Sequence, residues 1–386
     1  MIPYGRQSIS EEDIQAVVDV LTSDFLTQGP AVPAFEAASA AYCGAAHAVA
    51  VNSATSALHI ACLALGVGPG THVWTSPITF VASANCALYC GAEVDFVDID
   101  PATFNMSPEA LATKLERAER DGKLPSVVIP VHMAGQSCDM EAIHALGRRY
   151  GFRIVEDASH AVGARYKGTP VGDCRFSDVT IFSYHPVKII TTAEGGLALT
   201  NDAELARLMG LYRTHGVTRD ASEMENEPDG GWYYEQVALG FNYRMTEMQA
   251  ALGLSQMDRL DRFVATRRAL AARYDRALEG QPLTRPWQHP DALSSYHLYI
   301  VRLDLSRNSI SHRQVYDRLR ERGVGVNLHY MPVYLQPYYR RLGFRPGLCP
   351  EAERYYAEAL SIPLYAGLEE AQQDHVVASL KEAVQP

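Results

Sequence analysis

Residues 126–157 contain the pattern that decides the fold, a strand, a helix and a second strand: SVVIPVH at 126–132, MEAIHALGRRY at 140–150 and RIVED at 153–157. The first and last segments are short apolar runs, typical of strands covered on both faces. The middle segment repeats apolar residues such as Ile143 and Tyr150 at helical spacing. This order predicts two parallel strands joined by a right-handed crossover.

The same alternation continues on both sides of this unit. Beside Ser126–His132 and Arg153–Glu156, the strand candidates are Ala48–Asn52, His72–Thr75, Glu93–Val97, Asp178–Ser183 and Leu197–Thr200. Helical patterns separate many of these strands, and a long amphipathic one covers Met245–Arg268. The chain is therefore predicted to have an α/β fold with a large, mostly parallel sheet.

The pattern changes after about residue 260. Strands are predicted at Tyr296–Leu303 and Val324–His329, with helices at Arg313–Arg322 and Asp374–Ala383. We therefore expect a large domain over residues 1–260, with an N-terminal segment that packs beside the smaller domain or reaches the site, and a smaller C-terminal α+β domain over residues 261–386.

Composition narrows the class of protein. The 386 residues are 47% hydrophobic and 20% charged, which is typical of a globular enzyme. A net charge of −11 disfavours nonspecific nucleic-acid binding. The opening MIPYGRQS does not have the pattern of a secretory signal, and no apolar stretch is long enough for a membrane span. The seven cysteines contain no CxxC pair, so reduced thiols and a cytoplasmic location are expected.

Four polar motifs are placed where strands end: IVED ending at Asp157, SYHPVK ending at Lys188, TTAEGG at 191–196 and NSATS at 52–56. Ligands of open α/β sheets bind at the carboxyl ends of strands, and a helix N-terminus binds anions. A carboxylate, a lysine and hydroxyl-rich turns are the groups that a pyridoxal phosphate (PLP) site needs. From the residues alone, a surface lysine and a helix N-cap remain alternatives for Lys188 and Asp157.

The sequence resembles the DegT/DnrJ/StrS family of PLP-dependent nucleotide-sugar aminotransferases. The blocks that carry the resemblance are EDASHAVGA, SYHPVK, TTAEGG, IPYGRQSISEEDI, NSATSALH and GFNYRMTEMQAALG. The opening and LTQGP at 26–30 are most similar to the pseudaminic-acid branch of the family. Ala193 and Tyr184 depart from the glycine and phenylalanine of many relatives. The resemblance implies PLP-dependent transferase fold type I, the fold of aspartate aminotransferase.

The resemblance also implies roles for individual residues. Lys188 would bind PLP covalently and move protons, and Asp157 would pair with the ring nitrogen. The other cofactor contacts would be Thr55, Ser56, Phe80, His160, Ser183 and, from the neighbouring subunit of a homodimer with shared active sites, Asn242. The substrate contacts would be Tyr4, Arg6, Leu26, Thr27, Gln28, Gly29, Arg244, Asn327, His329 and Tyr330.

The implied reaction moves an amino group from L-glutamate to a UDP-linked 4-keto-6-deoxy-N-acetylhexosamine. Its product would be of the UDP-4-amino-4,6-dideoxy-N-acetyl-β-L-altrosamine type, for pseudaminic acid biosynthesis, and no metal would be needed. A TDP-linked or 3-keto sugar is the first alternative. A metal-dependent glycosyltransferase is a remote one, because Asp98-Ile99-Asp100 forms a DxD that could clamp a metal. A related sugar 3-dehydratase is disfavoured, since those relatives carry histidine where Lys188 stands.

Overall fold

A seven-stranded sheet forms the centre of the protein, in a computed structural model that describes residues 1–306 and 310–385. The strands are β1 His47–Val51, β2 His72–Thr75, β3 Glu93–Phe96, β4 Val127–Ile129, β5 Arg153–Asp157, β6 Arg165–Tyr166, β7 Thr169–Pro170, β8 Val179–Ser183, β9 Gly196–Thr200, β10 Val217–Thr218, β11 Glu235–Gln236, β12 Leu283–Thr284, β13 Ala292–Leu293, β14 Tyr299–Leu303 and β15 Ala359–Ile362. The α-helices are α1 Glu11–Leu21, α2 Ala31–Cys43, α3 Ala54–Ala64, α4 Ala82–Tyr89, α5 Pro108–Asp121, α6 Met140–Tyr150, α7 Ala203–Arg213, α8 Glu247–Met257, α9 Leu260–Ala277, α10 His312–Glu321, α11 Pro337–Arg341, α12 Pro350–Glu358 and α13 Glu370–Ala383.

The central sheet has the order β1-β9-β8-β5-β4-β2-β3. Its strands are parallel except β9, which runs antiparallel to both neighbours, β1 and β8. Each of the seven strands predicted in this region corresponds to one of these strands, so the mostly parallel α/β sheet is confirmed. The strands β4, β8 and β9 are buried along their whole length, which explains why they are continuous apolar runs in the sequence.

The region predicted to be helical over Met245–Arg268 is helical, and it consists of two helices, α8 and α9. A tertiary contact, which periodicity does not reveal, is made where the chain bends between them. Gln256 and Arg259 both donate hydrogen bonds to the carboxylate of Asp13, a fully buried residue of α1. This contact also fixes α1 against the start of α9.

The C-terminal region has a hydrophobic core of its own, to which α9, α10, α13 and the β12-β14-β15 sheet contribute. The strand predicted at Val324–His329 is wrong. This segment makes one isolated bridge to Ile2 and another to Ser361, because it lies between the N-terminal chain and β15. Only the later part of α9 belongs to the C-terminal core, because the start of this helix packs into the core around β8 and β9. The boundary at residue 260 stays a prediction.

The N-terminal segment packs beside the C-terminal region. The carbonyl of Ile2 accepts a hydrogen bond from the amide of Gly325 at 2.7 Å, and that of Tyr4 accepts one from Leu364 at 3.0 Å. The side chain of Tyr4 lines the large cavity described below.

All seven cysteines are free thiols, as predicted. Within residues 1–306 and 310–385, none of the helices combines the length and the apolar character that crossing a membrane requires.

Candidate active site

A cavity of about 1290 Å³ opens at the carboxyl ends of β5 and β8, beside the N-terminus of α3. Eleven of the predicted site residues line it: Tyr4, Thr55, Ser56, Phe80, Asp157, His160, Ser183, Lys188, Asn327, His329 and Tyr330. The fold therefore gathers residues from the N-terminus, the central sheet and the C-terminal region around one space. Their individual roles stay predictions.

Lys188 lies in the turn that follows β8, and its side chain forms part of the cavity wall. The next two residues, Ile189 and Ile190, are buried and anchor this turn in the core. Burial lowers the pKa of the Lys188 amine to about 8, while the nearby Asp157 carboxylate acts in the opposite direction. The alternative of a solvated surface lysine is therefore disfavoured, since the amine faces a ligand-sized cavity and loses its proton readily.

We expect the apoprotein to show this low pKa directly. Competitive acetylation followed across pH by peptide mass spectrometry should give Lys188 an apparent pKa of about 8, whereas exposed lysines titrate near about 10.4. The reactivity of Lys188 should therefore level off as pH rises through this value, while that of the exposed Lys123 continues to increase. If both amines titrated together, burial of Lys188 would be contradicted.

Asp157 is the last residue of β5 and is buried. Its carboxylate accepts a hydrogen bond from the Ser83 hydroxyl at 2.6 Å and another from the Ser159 amide at 3.1 Å. Within the described chain, no ion pair includes Asp157. Since a buried carboxylate without a cationic partner is costly, the site suits a ligand with a protonated nitrogen at this point.

The turn before α3 has groups that suit an anion. The Ser53 side chain caps the helix by accepting a hydrogen bond from the amide of Ser56 at 3.1 Å, and the Ser56 hydroxyl donates to Asn52 at 2.7 Å. Thr55 of this turn lines the cavity together with Ser183. Hydroxyls at a helix N-terminus are suited to a phosphate.

Gly196 explains why the TTAEGG motif ends in glycine. A Cβ atom at this position would lie 2.4 Å from the backbone carbonyl group of Ser53. Only glycine therefore allows the start of β9 to pass this close to the turn that carries Ser53 and Thr55.

Three imidazoles surround the inner end of the cavity, those of His160, His297 and His329. Burial lowers the pKa of all three, and the positive charge of Lys188 lowers it further; the pKa of His329 falls to about 3. The rings are therefore neutral at pH 7. Neutral rings can pack against a cofactor without repelling its protonated nitrogen. The His160 ring is held by the amide of Ala134, which donates to Nδ1 at 3.4 Å.

Seven predicted site residues lie outside the cavity wall: Arg6, Leu26, Thr27, Gln28, Gly29, Asn242 and Arg244. Most are exposed, including Arg6 and Asn242. The backbone carbonyl of Asn242 accepts a weak hydrogen bond from Asn52 Nδ2 at 3.4 Å, so this residue is at the edge of the phosphate-binding turn. A single chain does not bring this group together with Lys188. Their predicted roles remain untested.

The aspartates of the DxD motif, Asp98 and Asp100, have a structural role, because their carboxylates accept hydrogen bonds from backbone amides. The two Asp98 carboxylate oxygens accept hydrogen bonds from the amides of Glu351 and Ala352, both at 3.0 Å, at the start of α12. The Asp100 carboxylate accepts bonds from the amides of Ala102 and Thr103 within its own turn. In the part of the chain that the structure describes, no cluster of three or more histidine, cysteine, aspartate or glutamate side chains could hold a metal.

Sequence reasoning missed several residues of the site, of which Ser83 and His297 matter most. Ser83 is one helical turn after Phe80, which was predicted to be a cofactor contact, so this spacing was a signal for it. His297 precedes β14 and comes 140 residues after Asp157 in the chain. Nothing in the neighbouring sequence indicates that it lines the same cavity. Only the tertiary fold reveals this contact.

Comparisons with known proteins extend over the whole chain. The profile of the DegT/DnrJ/EryC1/StrS aminotransferase family matches residues 7–381. The spore coat polysaccharide biosynthesis protein SpsC of Bacillus subtilis is 39% identical, over 99% of this chain and 97% of SpsC. Among solved structures, PseC of Helicobacter pylori, an aminotransferase involved in the biosynthesis of pseudoaminic acid, is 31% identical with a TM-score of 0.89, over 99% of each chain.

A sugar aminotransferase described as putative in its own structure report, Spr1654 of Streptococcus pneumoniae in its PMP form, is 30% identical with a TM-score of 0.90, over 100% of this chain and 99% of Spr1654. These similarities confirm the predicted fold, that of PLP-dependent sugar aminotransferases. The chain belongs to the DegT/DnrJ/EryC1/StrS aminotransferase family.

Proposed function

We propose that this protein is a PLP-dependent aminotransferase that transfers the amino group of L-glutamate to a UDP-linked 4-keto-6-deoxy-N-acetylhexosamine. The observation that carries the proposal is the placement of Lys188, Asp157 and the α3 N-terminus around one cavity. The family membership supports the transamination, and PLP is the cofactor of this family. The sugar and its carrier are the parts that an experiment must decide.

The residues present fit PLP. The unpaired Asp157 carboxylate suits its ring nitrogen, the turn at Thr55 and Ser56 suits its phosphate, and Lys188 is the amine that its aldehyde requires. Phe80 exposes 60% of its surface and lines the cavity, so its ring is free to cover one face of the cofactor. When bound, PLP supplies an aromatic ring that accepts electrons and a carbon that carries the amino group.

Lys188 is the residue that transfers protons in this proposal. Its amine is released when the amino donor binds, and a lowered pKa makes this amine an effective base at neutral pH. In each half-reaction it would move one proton between two carbons: first from Cα of the donor to the cofactor carbon that carries the amino group, and then from that cofactor carbon to C4 of the sugar. A single base placed between the two carbons is sufficient, because positioning provides much of the rate enhancement.

The choice of sugar is supported by PseC and left open by SpsC. The PseC name indicates a pseudaminic-acid pathway, whereas SpsC, which is more similar in sequence, is described only as a spore coat polysaccharide biosynthesis protein. A TDP-linked or a 3-keto sugar is therefore the second candidate. A cytoplasmic location, where nucleotide sugars are made, stays a prediction.

Product analysis tests the substrate. The purified enzyme is incubated with glutamate and a matched panel of UDP- and TDP-linked 4-keto and 3-keto sugars, and the products are identified by mass spectrometry and NMR. We expect amination at C4 of the UDP-linked 4-keto-6-deoxy-N-acetylhexosamine, with formation of 2-oxoglutarate. Preferential amination of a TDP-linked or 3-keto sugar would overturn the proposed substrate. If the enzyme transferred the whole sugar from its nucleotide to an acceptor, the proposed transaminase activity would be overturned.

A homodimer with shared sites is supported by two features of the surface. No arginine lines the cavity in the described residues, although a nucleotide diphosphate needs cations. Large apolar side chains are exposed outside it, including Phe25, Trp232, Tyr234 and Leu239. Exposed apolar side chains of this size are suited to contacts with a protein partner. A second copy would cover it and could bring the predicted Arg244 and Asn242 to the cavity.

Subunit mixing tests the shared site. The variants Lys188→Ala and Asn242→Ala should each have low activity, and a mixture that exchanges subunits should recover activity. Random exchange gives half mixed dimers with one intact site each, so recovery should approach about a quarter of the wild-type rate. Activity no higher than the mean of the separate variants would place Asn242 in the same subunit's site or outside any site.

A further inference from the structure

Three thiols meet between α3 and α4, away from the residues that line the cavity. Cys62 of α3 is a neighbour of both Cys86 of α4 and Cys90, the residue that ends α4, and these two thiols act on its pKa. The Cys90 Sγ lies 4.0 Å from the carbonyl oxygen of His59, one turn before Cys62 on α3. Cys90 is therefore positioned against the face of α3 that carries Cys62.

The three thiols differ in their exposure and their partners. Cys62 and Cys86 are fully buried, whereas Cys90 is partly exposed. Interaction with Cys62 lowers the pKa of Cys90 to about 6, and His59 lowers it further, whereas Cys86, Cys90 and burial raise the pKa of Cys62. The accessible sulfur is thus the better nucleophile of the group.

We propose that Cys90 is an oxidation site for hydroperoxides, and that Cys62 converts the oxidised residue into a disulfide that links α3 to α4. The inference follows from the contact between one accessible and one buried thiol on two neighbouring helices. Cys86, one turn before Cys90 on α4, donates its S–H to the carbonyl of Ser83 at 3.3 Å and lacks access to solvent. Cys86 is therefore expected to take no part in the oxidation.

The reaction balances with hydrogen peroxide as oxidant. The Cys90 sulfur attacks one peroxide oxygen, the O–O bond breaks, and the departing hydroxide takes a proton to leave as water; Cys90 becomes a sulfenic acid. The Cys62 sulfur then attacks the Cys90 sulfur, the S–O bond breaks, and the hydroxyl leaves as water with the Cys62 proton. Two thiols lose two electrons and two protons, and one peroxide becomes two waters.

The disulfide would connect two helices that also carry residues of the active site. The first turn of α3 carries Thr55 and Ser56, and α4 carries Ser83, whose hydroxyl donates to Asp157. A covalent link between the two helices therefore joins the elements that hold the phosphate-binding turn and the buried carboxylate. The proposal itself is tested by covalent chemistry, without reference to activity.

The PLP-loaded full-length enzyme is treated with one equivalent of hydrogen peroxide, free thiols are alkylated, and the protein is analysed by intact and peptide mass spectrometry. We expect the loss of two hydrogens and a peptide pair joined through Cys62 and Cys90, both reversed by dithiothreitol. In the Cys62→Ser variant, dimedone should label Cys90 as a sulfenic acid. Cys86→Ser should still form the disulfide.

Cys349→Ser is the matched control, because this buried thiol lies outside the cluster and should leave the oxidation rate unchanged. Cys90→Ser should abolish the disulfide, and wild-type enzyme should show Cys90 as the first cysteine alkylated, which needs no variant to fold. A link through Cys86, formation of the disulfide without Cys90, or slower alkylation of Cys90 than of Cys349 would each overturn the proposal.

Discussion

Replacing Lys188 by alanine is expected to abolish both transamination and covalent retention of the cofactor. Lys188 is the lysine of the cavity wall, and its lowered pKa suits it to proton transfer at neutral pH. Loss of a positioned general base costs about 10²–10⁴-fold in rate. The loss should be at least this large, because the same amine also holds the cofactor.

Hydride reduction makes the covalent part of this prediction measurable. Reduction of the wild-type enzyme in the presence of PLP should fix one cofactor per chain on the peptide that contains Lys188, as shown by mass spectrometry. Lys123→Ala, which removes an exposed lysine, should keep both the adduct and the rate. A reduced adduct that persists in the Lys188→Ala protein would remove Lys188 from its proposed role.

The central sheet could be predicted from the sequence because its strands are buried. Short apolar runs such as Val127–Ile129, bounded by turn residues, are typical of strands covered on both faces. The antiparallel direction of β9 was not predicted, since strand direction depends on the path of the TTAEGG turn and not on the residues of the strand. Periodicity likewise gave no sign of the bend between α8 and α9, which depends on a contact with Asp13.

The site was predictable only where its residues occur in compact motifs. Lys188, Asp157 and the turn at Thr55 each follow a strand of the sheet, and strand ends at one edge necessarily come together. His297 carries no such signal, because the C-terminal region brings it to the cavity by packing. Asn242 lies at an exposed edge, and its predicted role at the site requires the second chain of the proposed dimer.

Asp157→Ala is expected to lower the rate of transamination far more than it lowers the amount of bound PLP. In the proposed arrangement the carboxylate would contact the cofactor only at the ring nitrogen, while the turn before α3 and Lys188 would remain to retain it. Its contribution is to keep that nitrogen protonated, so that the ring can accept electrons when a proton leaves Cα of the amino donor. Removal of one preorganised electrostatic contact in an active site costs about 10²–10³-fold in rate.

Two companion variants separate this electronic role from simple packing. Asp157→Asn keeps the shape and the contact with Ser83 but not the charge, so its rate should be close to that of the alanine variant. Ser83→Ala keeps the charge and removes only the 2.6 Å hydrogen bond, so most of the activity should remain. Rates are compared with PLP content, measured after release of the cofactor, in each protein. If the asparagine variant retained the wild-type rate, the charge of Asp157 would be irrelevant to catalysis, and the cationic partner inferred for this buried carboxylate would have to be abandoned.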